Sequence, residues 1–153
     1  MKSYSARRIF TPYALRVLER AERIVAAIPD ADNPTKLRCH EVARVVFLLL
    51  QQTSPDLGFG DQARVIDGCY FGMPHRVEHG WIEFEDTDAT SPHNSRMILD
   101  TFAVGRLPQV QLLRSCDYQN HYIHDNWPRT DIDGPGPLIS ATLRRFNLLW
   151  PEP

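Results

Sequence analysis

This chain is short of cysteine, of net charge and of long apolar runs, and each shortage removes a class of function. Its three cysteines, Cys39, Cys69 and Cys116, show no C-x-x-C spacing, which excludes a disulfide-stapled scaffold and a zinc ribbon. With 17 Lys and Arg against 19 Asp and Glu, the formal net charge is -2. No broad positive field is available for nucleic acid or an anionic membrane. The longest apolar run, Val45 to Leu50, falls far below the roughly 20 residues that cross a bilayer. The first ten residues, MKSYSARRIF, lack the apolar stretch of a signal peptide. Together these features predict a cytoplasmic protein with free thiols, without nucleic-acid or membrane partners. Its oligomeric state is not specified.

What is present is ordinary globular material: 153 residues, 42% hydrophobic and 24% charged, enough to bury one core without staples. A single domain is expected over 1–153, with its core at about 12–113 and a C-terminal loop and helix at 114–150. Thr11-Pro12 reads as a hydroxyl cap with proline in the first helical turn. Apolar residues at Ala14, Leu15, Val17, Leu18, Ala21, Ile24, Val25 and Ile28 then recur at three- and four-residue steps until Pro29 ends the helix. A second helix, from about Lys36 to Gln52, becomes apolar all round and is therefore central. After it come β-type runs at 64–71, 78–85 and 96–102, with a fourth at 109–113. The polar, aromatic stretch 115–137 reads as a surface excursion, and 138–149 as a closing helix. The expected class is α+β, with N-terminal helices packed on a small antiparallel sheet.

Three residues stand where chemistry could occur: Cys39 near the head of the central helix, His79 on one strand and Asp100 on the next. A helix start favours a thiolate over a thiol, an imidazole can take and return the thiol proton, and a carboxylate can hold the imidazole in one tautomer. Neighbouring antiparallel strands bring His79 and Asp100 together despite their separation in sequence. Each has a plainer reading. Free cysteine is often simply buried, a lone histidine is more often structural, and a strand-end aspartate often bonds backbone donors.

The cysteine at a helix head, H-x-W on a strand (His79, Gly80, Trp81) and I-L-D on the next (Ile98, Leu99, Asp100) resemble the papain-like cysteine enzymes of the transglutaminase-like and NlpC-like groups. The resemblance covers about 36–104. It implies a papain-like core and thiol chemistry on amide or thioester bonds, on a protein or peptide substrate and without a cofactor. Cys39 would be the nucleophile, His79 the base and Asp100 its orienting partner. Trp81 would either wall the substrate groove or pack in the core, and Asn33, in the turn before the helix, would help bind the oxyanion beside the Cys39 N–H. The chain departs from that pattern at His40 and Glu41, where many relatives carry an aromatic or small residue, and it has no glutamine shortly before the cysteine.

Two other classes compete. A metal-dependent hydrolase would draw on His75, His79 and Asp100, with His40, Glu41, His121, His124 and Asp125 as further donors. The His75 to His79 spacing crosses a loop-to-strand junction, so it does not place both rings on one helical face. A non-enzymatic interaction module would use the aromatic stretch from Tyr118 to Trp127 together with the C-terminal helix.

Overall fold

The computed structural model describes residues 10–28, 39–71, 77–102, 110–124 and Arg144. Helix α1 runs Pro12–Ala27 from the expected cap: the Thr11 hydroxyl accepts the Ala14 N–H at 3.2 Å. The same hydroxyl donates to the Asp86 carboxylate at 2.8 Å, which ties the helix start to the far end of the sheet. Helix α2, Cys39–Thr53, buries residues on every side, as its composition predicts, and ends where Pro55 cannot continue it. A short helix, α3 (Phe59–Gln62), leads into the sheet.

Among the described residues, β1 (Ala63–Tyr70), β2 (Val77–Glu85), β3 (Arg96–Asp100) and β4 (Gln111–Arg114) form an antiparallel meander. A fifth strand, β5 (Tyr122–His124), returns to pair with β1, giving the order β4-β3-β2-β1-β5. The α+β class holds. One expectation does not: 122–124 was expected within a surface excursion, yet it is a strand whose Tyr122 is buried. Three residues are too few for strand alternation to register in a sequence, and the burial of Tyr122 comes from long-range packing. The proposed closing helix at 138–149 lies outside the described residues, except that Arg144 is helical and exposed. No helix among them is long and apolar enough to cross a membrane.

The sheet buries side chains on both faces. Ile82, Phe84, Met97, Leu99 and Leu112 point toward α1 and α2, where Val17, Ala21, Val42, Val45 and Val46 complete the main core. Burying each of the larger side chains contributes about 1.5–3 kcal/mol. Ile66, Trp81, Ile98 and Tyr122 form a smaller cluster on the opposite face. Gly68 makes that second layer possible, because a Cβ there would lie 2.4 Å from the Ile123 carbonyl oxygen and 2.5 Å from the Trp81 ring. Gly68→Ala is therefore expected to destabilise the fold by about 1–3 kcal/mol. A urea unfolding midpoint unchanged from the parent would contradict this packing.

Candidate functional site

β2 extends beyond the end of β3. The β2–β3 register pairs Ile82 with Leu99 and, continued, sets Trp81 beside Asp100, with His79 diagonal to it on the same face. His79 Nε2 lies 3.0 Å from both Asp100 oxygens, and the two residues are 2% and 1% exposed. Asp100 also accepts the Phe102 N–H at 3.0 Å and the Tyr122 hydroxyl at 2.7 Å, so the carboxylate is fixed by groups from three segments. The imidazole is gripped by aromatic rings. Trp81 stacks on it at 6.1 Å with an interplanar angle of 27°, and Tyr70 meets it edge-on at 6.1 Å.

Cys39 is the first described residue of α2, and its thiol lies beside both His79 and His40, the two imidazoles that favour its ionised form. Because Nε2 of His79 is committed to Asp100, Nδ1 is the nitrogen left for the sulfur. Burial opposes the thiolate, but hydrogen bonds from His40 and His79 and their charges outweigh it, and the thiol is pulled down to about 6. Burial likewise opposes the imidazolium of His79, yet Asp100 and the Cys39 sulfur raise it to about 9. Between those values the favoured state is a thiolate beside an imidazolium, the form in which sulfur attacks carbonyl carbon. Tyr122 is kept protonated: burial and the Asp100 charge push its phenol above the ordinary range, so it remains a donor to the carboxylate.

A second imidazole also acts on this thiol. His40, 4% exposed, places Nδ1 2.6 Å from Asp67 Oδ1 on β1 and Nε2 3.4 Å from Glu78 Oε1 on β2. Arg44, one turn along α2, grips Asp67 with two hydrogen bonds of 2.9 and 2.6 Å and donates to the His40 carbonyl at 3.2 Å. Asp67 is held well below the usual carboxylate range: burial works against its charge, and His40 and Arg44 more than compensate. Asp67 faces Gly80 across the strands, and a Cβ on Gly80 would sit 2.8 Å from His40 Nδ1. The strand can approach the helix this closely only because that side chain is missing.

Cys39, His79 and Asp100 therefore meet. Trp81 does not wall a groove: at 0% exposure it has no surface to offer a substrate, and it backs the His79 imidazole from the interior. Asn33 and His75 lie outside the described residues. Among the described residues, no group of three or more His, Cys, Asp or Glu side chains is arranged to hold a metal ion. His121 and Tyr118 pack edge-on at 5.6 Å, while Ile123 and Phe71 are exposed. The sequence reading missed Asp67, Arg44 and Tyr122 as site residues. A signal existed for Asp67, the one carboxylate in the strand sequence Ala63–Tyr70, between Ile66 and Gly68. None existed for Tyr122. Comparison with family models, with curated proteins and with solved structures gives no match for this chain.

Proposed function

We propose that this chain is a thiol-dependent acyl-transfer enzyme of papain-like, transglutaminase-like architecture, acting on amide bonds of a protein or peptide. The observation that supports the reading best is the buried His79 ring held by both Asp100 oxygens at 3.0 Å, with the Cys39 thiol beside the same ring. In the first step the Cys39 thiolate adds to the carbonyl carbon, and the developing oxyanion is stabilised by N–H donors at the start of α2. The C–N bond then breaks as the His79 imidazolium gives its proton to the leaving nitrogen, producing a thioester and a neutral imidazole. In the second step His79 takes a proton from water or an amine as that nucleophile adds to the thioester, and the thiolate departs. Asp100 keeps the ring in one tautomer throughout and steadies its charged form. Water gives hydrolysis or deamidation; an amine gives transfer.

A p-nitrophenyl acyl ester tests this directly. The expected result is a burst of about one nitrophenolate per protein, an acyl adduct on Cys39 by mass spectrometry, and faster turnover when hydroxylamine is added. Hydrolysis indistinguishable between the parent and Cys39→Ala would overturn the reading.

A further inference from the structure

We propose that His40 is a second catalytic imidazole of this site: oriented by Asp67 and admitted by Gly80, it contacts the Cys39 sulfur and holds its negative charge, while His79 alone moves protons. The inference rests on the thiol-enzyme reading and adds to it a residue that neither the triad nor the family resemblance supplies.

Nδ1 of His40 is engaged by Asp67 at 2.6 Å, so Nε2, which also lies 3.4 Å from Glu78, is the nitrogen that can face the Cys39 sulfur. The groups facing the ring are Cys39 from α2, Asp67 from β1 and Glu78 from β2, while Arg44 from α2 reaches the His40 carbonyl and Asp67. Taken with Asp100, the buried part of this cluster has matched charges. Asp67, Asp100 and the thiolate are balanced by Arg44, His79 and a protonated His40; Glu78, with its side chain 58% exposed, sits at the rim. A neutral His40 would leave the buried cluster with one uncompensated negative charge, which a low-dielectric interior penalises.

The division of labour follows from hydrogen-bond partners. His40 is pinned on one nitrogen by an aspartate that Arg44 already neutralises, and it loses no proton when the thiolate forms its bond to carbon. His79 gives its proton to the leaving nitrogen in that same step, so the charge lost at sulfur and the proton lost from His79 cancel within the cluster. His40 remains a fixed cation beside the sulfur in both halves of the reaction. When the thioester breaks, the returning thiolate regains a partner already in place.

A structural histidine would require only Asp67 and would leave the titration of Cys39 unchanged. The test is therefore the pH dependence of Cys39 alkylation by iodoacetamide, followed by intact mass, in the parent and in His40→Gln. The variant is expected to move the acid limb upward by about one pH unit or more, slowing alkylation about twofold at pH 6 and, because the more basic thiolate is the better nucleophile, raising the plateau rate at pH 9 about threefold. Superimposable profiles would overturn the proposal. A parent protein without alkylation below pH 7 would overturn the thiol-enzyme reading as well, which separates the two failures. Should His40→Gln not fold, NMR titration of the His40 ring in the parent and in Cys39→Ala decides the matter. A lower midpoint in Cys39→Ala supports the contact with the thiolate, and an unchanged midpoint overturns it.

Discussion

At pH 6 native Cys39 is expected to react with iodoacetamide about ten times faster than a cysteine in an unstructured peptide, and at pH 9 about ten times more slowly. The reversal follows from two opposed effects. With its thiol near 6, Cys39 is about half ionised at pH 6, whereas an ordinary thiol at about 8.5 is roughly 0.3% ionised. That advantage of about 150-fold is reduced because a less basic thiolate is a weaker nucleophile. With a Brønsted slope of about 0.45, a difference of about 2.5 units costs roughly 13-fold. Above pH 7 Cys39 has no further thiolate to gain, so its rate levels off while the reference keeps climbing, and the two profiles cross near pH 7.4 by the same arithmetic. Cys69, 4% exposed, should stay unlabelled in the native protein. In Cys39→Ala the acid-side labelling disappears, and turnover of an acyl substrate falls by about 10⁴-fold or more. Because Cys39 is only partly buried and the replacement is small, the melting temperature should move by only a few degrees. A Cys39 profile that tracks the peptide across the whole range would mean that neither imidazole touches the sulfur.

Much of this arrangement is legible in the sequence, and the limit has a physical basis. Helix α1 announces itself through the Thr11-Pro12 start and the spacing of Val17, Leu18, Ala21 and Val25, because a half-buried helix must place apolar groups at that period. The central position of α2 follows from a run that is greasy on every side. His79 and Asp100 can be paired because consecutive antiparallel strands are neighbours. Other features depend on register, which composition does not encode. Asp67 serves His40 only because β1 sets it opposite Gly80, where the missing side chain leaves room for the His40 ring. His40 itself drew notice as a departure from the family pattern and as a metal donor, and its role depends on that same pairing. Tyr122 reaches Asp100 because a three-residue strand crosses to the far edge of the sheet, a connection that no local pattern reports. Trp81 was expected at a groove wall or in the core; Gly68 lets its ring lie flat across β1, sealed under β5 and against His79.

Removing the Asp100 side chain is expected to cost more stability than any other single change at the site. Asp100→Ala strands the His79 ring, the Tyr122 hydroxyl and the Phe102 N–H in an interior that water does not reach, and breaking a buried pair by deleting one partner typically costs about 3–5 kcal/mol. Asp100→Asn preserves volume and one acceptor, so it should unfold at a higher urea concentration than the alanine variant. It nevertheless loses the charge that favours the imidazolium and fixes the tautomer, and turnover should fall by about 10⁴-fold. The pH dependence gives an independent check. His79 titrates near 9 in the folded protein and near 6.5 in an unfolded chain, so the protonated ring stabilises the fold fully below about 6.5, and this contribution is lost as the pH rises through about 9. The difference in unfolding free energy between the parent and Asp100→Asn should therefore be widest on the acid side of neutrality and narrow toward pH 9. A gap that stays constant from pH 6 to 9 would show that Asp100 holds a neutral ring. The thiolate would then lack its cation on the His79 side, and proton delivery to the leaving nitrogen would have no donor in place.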